Sequence, residues 1–169
     1  MNTLAEQHPS FQISSNASYH MSEIAASAPN TTFFFQLYVN RNRAASEQLL
    51  KEAEKNGIKA VFVTVDAPVA GKREADERVE NDNTDASLTF APMSGAIASN
   101  DSKGAGIGRT MGSYIDASLN WSDLAWLRNA TKLPIVLKGI GSAEDALLAA
   151  SYGVDGIVVS NHGGRSLDG

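Results

Sequence analysis

The 169-residue sequence contains no cysteine. Disulfides, thiolate nucleophiles and cysteine-built metal sites are excluded together. A side-chain two-electron acceptor is excluded with them, so any redox function must draw on a cofactor. No apolar run approaches the roughly 20 residues that span a bilayer, and the start, "MNTLAEQHPSF", lacks the basic and apolar regions of a signal peptide. The expectation is a soluble, cytoplasmic protein with no membrane partner, a mitochondrial or peroxisomal address remaining open if the termini extend further. Basic charge is scarce too. The net charge is −5, and Arg41, Arg43, Lys72, Arg73, Arg128 and Lys138 are scattered, so no stripe for nucleic acid forms. The three histidines (His8, His20, His162) have no ligand spacing, which argues against a metal site.

What is present is a repeating pattern. "FFFQLYV" (33–39) reads as a strand, and the stretch after it carries a helical stripe at Ala45, Leu49, Leu50 and Ala53, with Gly57 placed to stop it. "KAVFVTVDAP" (59–68) is continuous rather than alternating, as expected of a strand buried on both faces. A helix over 122–132, a strand over 133–139, a helix over 142–153 and a strand over 155–161 follow. Ser142 with Asp145 suits a helix N-terminus, and Gly153 its end. "FQISSNAS" and "MSEIAASA" add one more strand and helix near the start.

Strand–helix alternation predicts an α/β fold with a parallel sheet. Of the two common architectures, no Gly-x-Gly-x-x-Gly follows a strand to mark a doubly wound sheet; "GAGIG" (104–108) lies in a loop. The placement of polar residues favours the (β/α)8 barrel. Gln36 and Tyr38, Thr64 and Asp66, Lys138, and His162 with Arg165 fall toward the C-terminal ends of four strands, where barrel active sites sit. The i, i+2 spacing puts Gln36 with Tyr38, and Thr64 with Asp66, on one face. Between 72 and 118 the pattern gives way to a polar, glycine-rich stretch far longer than an ordinary connection, of the kind that forms functional loops.

These residue types suggest a chemistry. Histidine suits proton abstraction near neutrality. Arginine grips a carboxylate through two parallel hydrogen bonds, and Gly163 and Gly164 between His162 and Arg165 allow a close backbone approach. Asp66 would orient the base if the strands converge. Lys138 would stabilise negative charge on a bound cofactor, or act as a Schiff-base lysine in a barrel lyase.

"FQLYVNRNR", "GIKAVFVTVDAPVAGKRE", "TKLPIVLKGI" and "GVDGIVVSNHGGRSLD" together resemble the FMN-dependent α-hydroxy acid oxidising family, which includes glycolate and lactate oxidases. The similarity runs from about Phe11 to Asp168, making residues 1–169 a partial flavin domain. The resemblance implies FMN as cofactor and a small L-2-hydroxy acid as substrate, oxidised to the 2-oxo acid. It implies His162 as the base, Asp66 as its partner and Arg165 as the carboxylate ligand. Tyr38 would lie against the substrate and Arg73 near substrate and flavin. Lys138 would face the flavin N1 region, Ser14, Gln36 and Thr64 would bond the flavin ring, and Ser160 would stand beside the base. A tetramer is the assembly it implies. A full barrel takes about 250 residues and eight strands, against five strand candidates here, so an inactive remnant of such an enzyme is the alternative expectation.

Overall fold

The computed structural model describes residues 10–69, 112 and 114–165, the side chain of Arg165 excepted. The long polar stretch expected over 72–118 lies mostly outside the described residues, and so does Arg73.

Among the described residues five strands form one sheet in the order β1-β2-β3-β4-β5. They are β1 (Ser10–Ser14), β2 (Thr32–Leu37), β3 (Val61–Thr64), β4 (Ile135–Ile140) and β5 (Gly156–Val159), every neighbouring pair parallel. Between them lie α1 (Met21–Ser27), α2 (Arg43–Lys55), α3 (Asp123–Ala130) and α4 (Ala143–Ser151). The spatial order follows the chain order without reversal. A doubly wound sheet reverses at its switch point, so this is the partial (β/α)8 barrel that the sequence pattern predicts.

Alternation along the strands separates two faces. Ile13, Phe33, Phe35, Leu37, Val61, Val63, Ile135 and Leu137 pack with Leu49, Leu50, Ala53, Leu124, Leu127 and Ala149 of the helices into one core. This is the outer, helix-covered face. The intervening residues turn to the inner face, where the Phe34 and Phe62 rings meet at 5.4 Å between centroids.

The helix ends follow their local chemistry. The Ser142 hydroxyl accepts the Asp145 N–H at 3.1 Å, closing the N-terminus of α4. Gly57 and Gly153, just past α2 and α4, take φ of 73° and 71°. At α1 the Glu23 carboxylate reaches back to the His20 N–H at 3.0 Å. The Trp126 indole N–H donates to Glu47 at 2.8 Å and Arg43 lies over the Trp126 ring, tying α3 to α2.

Among the described residues β1 and β5 are the edges of the sheet. Phe11, Ile157 and Val159 are exposed there, as are Leu147 and Tyr152 on and beside α4. No helix among them is long and apolar enough to cross a membrane.

Candidate active site

On the inner face the C-terminal ends of β2, β3 and β4 carry polar side chains beyond Phe34, Phe62 and Val136. β2 brings Gln36, β3 Thr64 and β4 Lys138; in the ladder Thr64 stands beside Lys138. Asp66 lies two residues past Thr64, Tyr38 one residue past β2, and Ser160 and His162 follow β5. Gln12, Ser14, Gln36, Tyr38, Thr64, Lys138 and His162 line a cavity of about 200 Å³. Six of these seven were expected from the sequence.

Asp66 is the hub. Its side chain is only 6% exposed, and its Oδ1 lies 2.5 Å from His162 Nδ1. The Lys138 ammonium donates to Oδ2 at 3.1 Å, and the Ser160 hydroxyl donates to the same oxygen at 3.1 Å. Burial pushes the Asp66 carboxyl up, but the hydrogen bonds and charges of His162 and Lys138 outweigh it and hold the group below the usual carboxylate range. A carboxylate held ionised against Nδ1 fixes the imidazole with that nitrogen as the donor. Nε2 is thereby left toward the cavity, 3.4 Å from the Tyr38 hydroxyl. The backbone serves this aim: His162 sits at φ 69°, in the left-handed region that non-glycine residues rarely enter, and its N–H donates to Ser160 Oγ at 3.0 Å.

A second network holds the opposite wall. The Gln36 amide donates through Nε2 to Thr64 Oγ1 at 2.9 Å. Its Oε1 accepts from Ser14 Oγ at 3.2 Å and from the Ser15 N–H at 3.3 Å. Ser15 Oγ in turn accepts the Tyr38 N–H at 3.4 Å. Behind this wall the Tyr114 hydroxyl donates to Asn16 Oδ1 at 2.6 Å, and the Tyr114 ring packs with Tyr38 and Ile115. Burial drives the Tyr114 phenol up to about 12, against the hydrogen bonds of Asn16 and Ser15.

A larger cavity, about 360 Å³, lies on the other face between β3, β4 and α3. Val63, Val65, Leu124, Leu127 and Leu137 dominate its wall, and its Asp123 and Asp145 carboxylates are already bonded to Arg43 and Ser142. Its lining holds no histidine.

Residues 2–169 match the family of FMN-dependent dehydrogenases. The chain belongs to the FMN-dependent dehydrogenase family. It is 44% identical over 158 residues to the L-lactate dehydrogenase (cytochrome) of Saccharomyces cerevisiae, covering 92% of this chain and 26% of that protein. Against mouse 2-hydroxyacid oxidase 1 the identity is 42% over 167 residues, covering 93% and 44%. The recombinant flavin-binding domain of baker's yeast flavocytochrome b2 superposes with a TM-score of 0.72 at 42% identity, over 94% of this chain and 35% of that one. The chain thus spans between about a quarter and just under half of the length of these relatives.

For this member of the FMN-dependent dehydrogenase family, the fold brings Ser14, Gln36, Tyr38, Thr64, Asp66, Lys138, Ser160 and His162 together. The backbone of Arg165 closes the 3-10 turn Gly163–Arg165, next to His162. Sequence reasoning missed Gln12, Ser15, Asn16, Tyr114 and Gly139. Tyr114 lies inside the long polar stretch and belongs to no periodic element, so no local signal marked it. Gly139 did carry one, since an isolated glycine inside a strand marks a bulge or a close backbone approach.

Proposed function

We propose that this chain carries the base-bearing part of an FMN-dependent oxidoreductase that converts a small L-2-hydroxy acid to its 2-oxo acid. The observation that carries the reading is the His162–Asp66 contact of 2.5 Å, with Lys138 and Tyr38 beside it at one cavity. The donor set suits a flavin ring, whose polar edge alternates carbonyl oxygens with ring nitrogens. The Gln36 amide and the Thr64 and Ser14 hydroxyls offer donors and acceptors around one cavity, and Lys138 adds a cation to it. FMN, when bound, would accept the electron pair released by the substrate.

The protein's own part is then proton transfer and orientation. His162 Nε2 takes a proton from the substrate, and Asp66 stabilises the imidazolium so formed without itself accepting the proton. Tyr38 offers its hydroxyl to the substrate beside Nε2. Arg165 would bind the substrate carboxylate, because a guanidinium meets both oxygens at once, and Arg73 would add positive charge. Ser160 holds Asp66 and the His162 backbone in register. A Schiff-base role for Lys138 is less well supported: its ammonium is paired with Asp66, whereas imine formation needs the free amine.

The test is an absorption spectrum of the chain after incubation with FMN and desalting, followed by anaerobic L-lactate or glycolate. Where flavin is retained and bleaches with the acid, His162→Ala should keep the flavin and lose the bleaching. Bleaching unchanged in His162→Ala would sink the assignment of the base. Loss of FMN on desalting would leave the chain a portion of such an enzyme without a working site of its own. Association into a tetramer belongs to the same proposal and is read by sedimentation. The cytoplasm is the proposed compartment, and the distribution of a tagged chain separates it from the peroxisome.

A further inference from the structure

The pairing of β4 with β5 runs Lys138↔Val158 and then Ile140↔Val159, so Gly139 is one residue more than β5 can match. Gly139 takes φ 113°, a conformation that L side chains rarely adopt. Its surroundings are tighter still. A Cβ placed on Gly139 would lie 2.5 Å from Asp66 Cβ, 2.6 Å from Asp66 Cγ and 2.7 Å from the Asp66 backbone nitrogen. No real Cβ contact is that short, and none of the three atoms is the free end of a flexible side chain. The space that glycine leaves is filled by the root of Asp66.

The same bulge reaches the base by a second path. Because Ile140 rather than Gly139 pairs with Val159, the Ile140 carbonyl receives the Ser160 N–H at 3.3 Å. Ser160 Oγ then bonds both Asp66 Oδ2 and the His162 N–H. One bare α-carbon therefore sets how deeply Asp66 sits and where the chain turns into His162.

We propose that Gly139 is a positioning residue for the His162–Asp66 pair, acting by letting Asp66 close onto β4. Its importance for catalysis rests on the reading of His162 as the base. The packing relation itself needs no flavin, so it can be tested even if FMN is not retained.

The experiment is a double-mutant cycle on the 169-residue chain, followed by urea unfolding, with Gly139→Ala, Asp66→Gly and the two combined. Asp66→Gly deletes two of the three atoms in the way. The alanine is expected to raise the unfolding constant at least about tenfold more in the wild-type background than in the Asp66→Gly background. A Gly139→Ala chain that fails to fold while the double variant folds would support the proposal equally. Equal losses in both backgrounds, or a double variant that also fails to fold, would overturn the proposal and leave Gly139 a requirement of φ alone. A proton spectrum supplies the readout specific to the base. The His162 Nδ1–H resonance, assigned by its loss in His162→Gln, should lie far downfield in the wild type and be lost or displaced in Gly139→Ala. An unmoved resonance in a folded Gly139→Ala chain would equally overturn it.

Discussion

Along β2, Phe35 and Leu37 are fully buried against the helices, while Gln36 between them faces inward and is held by Thr64, Ser14 and Ser15. The same five strands thus present two kinds of surface. Outside, contacts are apolar, numerous and non-directional, and each side chain touches many others. Inside, at the strand ends, contacts are a few directed hydrogen bonds: Ser14 and Ser15 hold Gln36, Gln36 holds Thr64, and Asp66 holds Lys138, Ser160 and His162 together. A packed face spreads a loss over its neighbours. A network of few directed bonds passes it on to the partners of the lost group. The outer face should therefore govern stability, and the inner one geometry.

The largest effect expected on that basis is at Phe35. Phe35→Ala empties a fully buried ring site and should cost about 3–5 kcal/mol in urea unfolding. Thr64→Val keeps shape but leaves the Gln36 amide short of its acceptor, and should cost about 1–3 kcal/mol. If Thr64→Val proved the more damaging of the two, the division between the faces would fail.

Acid titration sharpens the comparison next. The Asp66 carboxyl is held below its ordinary range, so its pair stabilises the fold fully above the unfolded aspartate range, near pH 4, and progressively less as the pH falls through the folded value. Asp66→Asn removes that linkage. Its unfolding midpoint should fall less steeply with acid than that of the wild type below about pH 4. Parallel acid limbs in the two proteins would mean that Asp66 is not held by His162 and Lys138 in solution.

The outer face was also the more legible. Leu49, Leu50 and Ala53 declare a helical stripe, and Val61 to Thr64 a buried strand, because burial acts on every residue of an element and so leaves a period. Four helices and five strands could be read that way, with ends off by a residue or more: Asp66 and Tyr38 lie past the ends of strands that the sequence ran through them, and the strand expected over 133–139 runs Ile135–Ile140. The polar cluster of Gln36, Thr64, Asp66, Lys138 and His162 was legible because polar residues interrupt apolar strands at corresponding ends. Contacts made across long separations left no such mark. Nothing in the local pattern ties Tyr114 to Asn16, 98 positions apart, although their hydrogen bond braces the turn that follows β1 and carries Ser15.

That bond gives the smallest effect. The segment carrying Tyr114 is fastened to the end of β2 by the Arg41 N–H donating to the Tyr114 carbonyl at 2.8 Å and the Asp116 N–H donating to the Val39 carbonyl at 2.9 Å, so the ring keeps its place when the hydroxyl is removed. Tyr114→Phe should then cost about 1–2 kcal/mol at neutral pH, the net worth of the hydroxyl's hydrogen bonds with Asn16 and Ser15. In alkali that advantage of tyrosine fades. A phenol raised to about 12 when folded, from near 10 unfolded, stabilises the fold fully below pH 10, and that stability is lost as the pH rises toward 12. Phenylalanine has no such loss. The difference between the two proteins should shrink above pH 10, and a difference that stayed constant to pH 12 would mean that the Tyr114 hydroxyl is solvated rather than buried against Asn16.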